Sequence, residues 1–148
     1  MTDTTSPELS LILPVYNDAA ALAAFLPELA AYLATQGRAE IIVVDDGSRD
    51  DVRAVCTAAR LQDNTVLRLL TLSRNFGKEA ALSAGLQAST GDTVAMMDAD
   101  GQHPVAVLAE MLALHRLGAD MVAAVQAKRG HEHRLLGFLK RGFYRFMQ

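Results

Sequence analysis

Val94-Ala95-Met96-Met97-Asp98-Ala99-Asp100-Gly101-Gln102-His103-Pro104 changes character in one step: an apolar run ends in two carboxylates one residue apart. The run reads as a strand over Thr93–Met97 buried on both faces, and such strands belong to parallel sheets covered by helices. Asp98 then stands at the C-terminal mouth of the strand and Asp100 in the loop beyond it. That is the crevice where open α/β sheets bind ligands. With the amide oxygen of Gln102 nearby, the two carboxylates are hard oxygen donors, suited to Mg²⁺ or Mn²⁺ more than to zinc. A structural alternative stands beside this one, in which Asp98 and Asp100 only cap the next helix.

The flanking sequence repeats the pattern. Leu9–Pro14 and Glu40–Asp45 are apolar or β-branched runs, the second ending in carboxylates, and Val66–Leu72 is a third. Between them lie helical stretches. Asn17 or Asp18 supplies an N-cap for Ala19–Thr35, where Leu22, Phe25, Leu26, Leu29 and Leu33 recur at helical spacing. Asp50 or Asp51 caps Val52–Leu61, the polar loop Ser73–Gly77 leads into Lys78–Ser89, and Pro104 starts Val105–Leu117. Met121–Val125 reads as a fifth strand, followed by an amphipathic helix over about residues 132–146. Strands alternating with helices imply βαβ units: an α/β domain with a mainly parallel, Rossmann-like sheet and helices on both faces. The expected organisation is a flexible start at 1–8, one domain over 9–130 and a basic amphipathic helix at 131–148.

In a parallel sheet the loops after the strands share one edge. Tyr16, Asn17 and Asp18 would meet there with Asp45 and Asp46, with Arg74, Asn75 and Lys78, with Asp98, Asp100 and Gln102, and with Lys128 and Arg129. Carboxylates and cations converging at one edge suit a diphosphate bridged through a metal. Charge is divided along the chain. Residues 1–127 carry 8 Lys/Arg against 16 Asp/Glu, whereas residues 128–148 carry 6 against 1. Cys56 is the single cysteine, which excludes an intramolecular disulfide and a cysteine metal cluster, and it reads as a small core residue. His115, His131 and His133 lack ligand spacing with the carboxylates and read as surface residues. No apolar run approaches the ~20 residues that cross a bilayer, and the first residues lack the features of a signal peptide.

With these residues in place, the chain resembles the family 2 glycosyltransferases of the GT-A fold, and among them the polyprenyl-phosphate glycosyltransferases. The resemblance rests on Leu13–Asp18, Val43–Asp50, Leu72–Ala81, Gly91-Asp92 and Met97–Pro104, which follow family order over nearly the whole chain. It implies transfer of a hexose, with inversion, from a nucleotide diphosphate sugar to a polyprenyl phosphate, UDP-glucose being favoured over GDP-mannose as donor. Pro14, Tyr16 and Asp18 would line the nucleotide pocket, Asp45 would meet the base edge, and Asp46 would help hold the nucleotide side. Arg74 and Lys78 would border the sugar and phosphate. Asp98, Asp100 and Gln102 match the metal and diphosphate motif, with Asp98 and Asp100 as the catalytic carboxylates and Mg²⁺ or Mn²⁺ as cofactor. Lys128, Arg129 and Arg134 are nominated as phosphate grips.

The sequence departs from the family pattern at Asp18 for a usual Glu, at Asp51-Val52 for Gly-Thr, at Gly101 for Leu and at Val105 for a second Pro. Family members continue past the position of Tyr144 into an acceptor segment and usually transmembrane helices. The expectation is therefore a donor-binding portion, cytoplasmic and peripheral at the inner membrane face, whose basic tail meets an anionic leaflet. No nucleic-acid partner is expected, and a homo-oligomer is allowed. The alternatives are a non-catalytic nucleotide-binding fragment and a nucleotidyltransferase-like domain, although no Gly-rich basic loop follows Pro14 to hold a triphosphate.

Overall fold

The computed structural model describes residues 6–100 and 104–125. Their chain alternates strand and helix: β1 (Leu9–Val15), α1 (Ala19–Leu33), β2 (Ala39–Asp45), α2 (Val52–Ala58), β3 (Thr65–Thr71), α3 (Lys78–Ala88), β4 (Thr93–Met96) and α4 (Val105–Arg116). The strands form one sheet in the order β3-β2-β1-β4, and every neighbouring pair is parallel. The chain first builds outward from β1 through β2 to β3, then crosses to the other side of β1 to lay down β4. The reversal of strand order between β1 and β4 creates the crevice in which such sheets place ligands.

Alternation along the central strands explains the continuous apolar runs. Leu11, Leu13, Ile41 and Val43 face one way, into a core closed by Leu22, Phe25, Leu26 and Leu29 of α1, Val52 of α2, and Leu108 and Leu112 of α4. Ile12, Ile42 and Val44 face the other way, against Ala81 of α3. Helices thus cover both faces, as the sequence predicts. Each fully buried Leu or Ile contributes roughly 1.5–3 kcal/mol, so strand burial rather than helix propensity fixes where the elements sit. On the α3 side the approach is close. A Cβ built on Gly85 would lie 2.4 Å from Cγ2 of Ile12 and 3.2 Å from Cγ2 of Val44.

At the edge where the strands begin, the buried Glu40 carboxylate collects four donors. Oε1 accepts from the Ser10 hydroxyl at 2.6 Å and from the Thr90 N–H and hydroxyl at 2.7 and 3.0 Å, while Oε2 accepts from Arg68 Nη1 at 2.8 Å. Burial alone would push the Glu40 pKa up, but the bonds from Ser10, Arg68 and Thr90 outweigh it and hold it below its ordinary value of 4.5. Asn64 closes the same end of α1, its Nδ2 donating to the carbonyls of Leu33, Gln36 and Gly37. Ser6 and Glu8, inside the expected flexible start, bond to Arg38 through Ser6 O and the Glu8 N–H.

Three elements differ from expectation. The strand expected over Thr93–Met97, buried on both faces, ends at Met96 and lies at the edge of the sheet, where Met96 is 41 % exposed. Met121–Val125 forms no strand: its residues make no ladder, and Met121 and Val125 are 84 and 81 % exposed. An apolar run becomes a strand only where a neighbour supplies complementary N–H and C=O groups, and here the run lines a groove beside β4 without pairing to it. α2 also stops at Ala58 rather than Leu61. The helix expected at 131–148 lies outside the described residues. Among the described residues no helix is long and apolar enough to cross a membrane.

Two stability outcomes follow from these contacts. Gly85→Ala gains up to about 1 kcal/mol of helix propensity, but its methyl meets the fully buried Ile12, and overpacking of that kind costs about 1–3 kcal/mol. The expected result is a lower midpoint in urea denaturation. Because the folded-state pKa of Glu40 lies below its unfolded value, its contribution is present above about pH 4.5 and is lost as pH falls through the folded value. Glu40→Gln should cost about 1–3 kcal/mol at pH 7, and its difference from the native chain should shrink in melts at about pH 3.5.

Candidate functional site

The loops after β1, β2 and β3 are bonded to one another before any ligand is considered. Asn17, after β1, adopts a left-handed conformation with φ 51°, which Asn tolerates better than most residues. In that position its N–H donates to the Ser48 hydroxyl at 2.9 Å and its Oδ1 accepts from the Arg49 N–H at 2.7 Å. Asp50 Oδ2 accepts from the Ala19 N–H at 2.8 Å, so a residue of the second loop caps α1. Asp18 occupies the N-cap position but makes no side-chain cap bond. Asp51 caps its own helix, accepting from the Ala54 N–H at 3.0 Å.

The second loop also holds the third. Asp46 is buried, and its two carboxylate oxygens accept from the N–H groups of Phe76 and Gly77, each at 2.8 Å. Gly47, with φ +72°, lets the loops touch: a Cβ there would sit 2.7 Å from the Cα of Arg74. Gly77, with φ +98° and ψ 158°, turns the chain directly into α3, a backbone that residues with a side chain rarely adopt. Asp45 is likewise buried, and its Oδ1 accepts from the Ser48 N–H at 2.8 Å, which fixes the turn after β2. Burial, reinforced by the Asp45 charge against a smaller opposing effect of Arg53, pushes the Cys56 thiol up to about 11. It packs against the core as the sequence predicts, and it is a protonated, weakly nucleophilic thiol at neutral pH.

Lys78, the first residue of α3, pairs with Asp98 just past β4, Nζ to Oδ1 2.5 Å. The Met97 N–H donates to the Ile12 carbonyl at 3.1 Å, carrying the ladder one residue beyond the strand, and the buried Ala99 anchors the turn between Asp98 and the exposed Asp100. Pro14, Tyr16, Asp46, Asn75, Lys78 and Asp98 together line a cleft of about 260 Å³ at the switch point of the sheet. Asp18, Asp45, Arg74 and Asp100 lie outside that lining, and the Arg74 guanidinium stacks 4.7 Å from the centre of the half-exposed Phe76 ring. Gln102, Lys128, Arg129 and Arg134 lie outside the described residues.

The donor chemistry fits a hard cation. Asp98 already takes an ammonium, and its carboxylate oxygens are hard donors. No group of three His, Cys, Asp or Glu gathers among the described residues, so Gln102 or ligands from a bound diphosphate would complete the set. His115, expected at the surface, is instead half-buried and ties the end of α4 to β4. Its Nδ1 lies 2.8 Å from the Ala119 carbonyl and its Nε2 3.2 Å from the Thr93 hydroxyl. Sequence reasoning also missed the clamping roles of Asn17, Ser48 and Asp50, whose only prior signal was a cluster of turn-forming residues after each strand.

Sheet order, helix placement and cleft together define a GT-A-like α/β domain. The chain belongs to glycosyl transferase family 2, whose description matches residues 10–146. It is 35 % identical over 144 residues to a prophage bactoprenol glucosyl transferase homolog of Escherichia coli K12, covering 93 % of this chain and 45 % of that protein. An undecaprenyl-phosphate 4-deoxy-4-formamido-L-arabinose transferase of Pseudomonas aeruginosa is 38 % identical over 122 residues, covering 82 % and 36 %. The chain thus spans less than half the length of the curated relatives it matches. Among solved structures, the mannosyltransferase PcManGT from Pyrobaculum calidifontis, in complex with GDP-Man and Mn²⁺, superposes with TM-score 0.64 at 28 % identity, covering 85 % of this chain and 37 % of that one. TarS of S. aureus, at 22 % identity and TM-score 0.53, shares the fold.

The capping geometry separates two neighbouring carboxylates. Asp50→Ala should lower stability by about 1 kcal/mol through loss of the α1 cap, whereas Asp18→Ala should leave it within about 0.5 kcal/mol of the native chain. Paired urea titrations of the two variants check this.

Proposed function

We propose that this chain is the donor-binding part of an inverting glycosyltransferase that moves a hexose from a nucleotide diphosphate sugar to a polyprenyl phosphate. The observation that carries the reading is the convergence of Lys78 and Asp98 with Pro14, Tyr16 and Asp46 on one cleft at the strand-order reversal. The names of the relatives support the acceptor class, two of them being transferases for bactoprenol or undecaprenyl phosphate. The PcManGT complex supports a nucleotide sugar with a divalent metal.

In this reading the nucleotide lies between Pro14, Tyr16 and the β2–α2 loop, with Asp45 at the base edge and Asp18 at the rim. Asp46 acts indirectly, keeping the backbone of Phe76 and Gly77 in place so that Lys78 enters the cleft from the start of α3. Asp98 and Asp100, with Gln102, would hold Mg²⁺ or Mn²⁺. That ion supplies charge neutralisation for the departing diphosphate. Arg74 and Lys78 screen the approach of a second anion. The acceptor needs little activation, because a phosphate monoester with a second pKa of about 6 is already largely dianionic at neutral pH. Lys128, Arg129 and Arg134 would then grip phosphate oxygens, and the basic 131–148 segment would meet an anionic leaflet at the cytoplasmic face, leaving the domain peripheral.

UDP and GDP are both compatible with a carboxylate at the base edge, since uracil and guanine each offer an N–H there. The names of the relatives give a glucosyl group and the PcManGT complex a GDP sugar, and the reading takes UDP as the donor nucleotide of this chain. Calorimetric titration of the chain with UDP and GDP, each with Mn²⁺ and with chelator, tests the reading. The expected outcome is metal-dependent binding of UDP that weakens at least about tenfold, a loss of ~1.4 kcal/mol, in Asp98→Ala/Asp100→Ala. Equal binding with and without metal, unchanged in the double variant, would overturn it.

A further inference from the structure

Lys78 is placed where a helix favours anions rather than cations, at the first residue of α3, yet its ammonium is held in an ion pair. Its partner, Asp98, is one of the carboxylates assigned above to the metal. Lys78 and Asp98 are also the two residues shared by the cleft at Pro14, Tyr16 and Asp46 and the larger groove of about 570 Å³ between β4 and α4. The pair is therefore the partition between two adjoining spaces. Its side chains are 58 and 31 % exposed, so neither charge is locked away from solvent, and the pair can open without unfolding its surroundings.

We propose that Lys78 is a resident counter-cation for Asp98, a latch that a divalent metal displaces. The exchange is one cation for another at a single carboxylate oxygen: the ammonium leaves Oδ1 and the metal takes its place. Released Lys78 keeps its position at the start of α3, where a phosphate oxygen would find both the ammonium and the positive end of the helix. Metal entry and donor capture are thereby coupled. The site holds its own cation until a metal arrives with a diphosphate to accept that cation. Lys78 acts here as a positioning residue, and the inference rests on the reading of Asp98 and Asp100 as metal ligands.

Mn²⁺ binding to the full chain without nucleotide, followed by electron paramagnetic resonance of the free ion, tests the latch independently of activity. Lys78→Gln should bind Mn²⁺ about two- to fivefold more tightly than the native chain, the range expected when a partly exposed ion pair stops competing. Lys78→Arg, which keeps the charge, should stay closer to the native affinity than Lys78→Gln does. Arg60→Gln, which removes an equal charge on the exposed surface away from the cleft, should leave affinity unchanged. Circular dichroism melts establish that each variant is folded, and removing a cation from the first turn of α3 is not expected to weaken the helix.

With UDP present the order should reverse, Lys78→Gln binding the nucleotide with Mn²⁺ more weakly than the native chain. An unchanged or weaker Mn²⁺ affinity in Lys78→Gln, or an equal gain in Arg60→Gln, would overturn the latch while leaving the metal site standing. Mn²⁺ that binds the native chain and Asp98→Asn alike, or that binds no form, would overturn the metal reading and the latch with it.

Discussion

Every strand of this sheet runs in the same direction, so all four strand ends deliver their loops to one edge, and those loops must satisfy one another's backbone there. That requirement shapes the upper half of the molecule. Asn17 reaches Ser48 and Arg49, Asp50 reaches back to Ala19, and Asp46 reaches Phe76 and Gly77. Each bond crosses between consecutive βα units. The loops after β1, β2 and β3 are therefore one hydrogen-bonded rim, and a cleft set into it inherits the rigidity of the sheet below.

The two ends of the sheet handle charge differently. At the lower end Glu40 is buried and surrounded by donors from β1, β3 and the turn after α3, with the Gly91 N–H bonded in turn to the Ser10 hydroxyl at 2.8 Å. Within that network Ser10 and Glu40 are both buried, so removing the carboxylate leaves a buried hydroxyl without its acceptor. At the upper end the Lys78–Asp98 pair is partly open to solvent, where ion pairs contribute little to stability and rearrange at low cost. The fold rests on the first arrangement, and a ligand can exchange with the second.

Much of this was legible in the sequence because the central strands are buried on both faces. Ile41–Val44 and Leu9–Leu13 admit no other economical reading once helical stretches separate them, and their ends placed Tyr16, Asp46, Lys78 and Asp98 at one edge. What was not legible depended on partners distant in sequence. Whether Asp18 or Asp50 caps α1 is a choice between residues on loops about thirty positions apart, and both are the same residue type. The clamp from Asp46 ends on backbone N–H groups, which leave no mark in the sequence. Met121–Val125 had the composition of a strand, but composition does not supply a neighbour, and the run lies unpaired beside a four-residue β4. His115 failed for a similar reason, since its two bonds run to a carbonyl and a hydroxyl rather than to ligand-like residues.

An edge rich in aspartate is at first sight a poor place for a nucleotide diphosphate, which is itself anionic. The hydrogen bonds resolve the conflict. Asp45, Asp46, Asp50 and Asp51 each accept from backbone N–H groups, two of them the leading amides of α1 and α2, whose partial positive charge offsets the carboxylates locally. Asp98 differs from these four in having a partly exposed ammonium among its partners. A fixed amide cannot leave, whereas an ammonium on a four-carbon stem can. The acidic edge is thus largely neutralised by the architecture that builds it, and the charge left open to exchange lies at the strand-order reversal, where the fold itself provides a crevice.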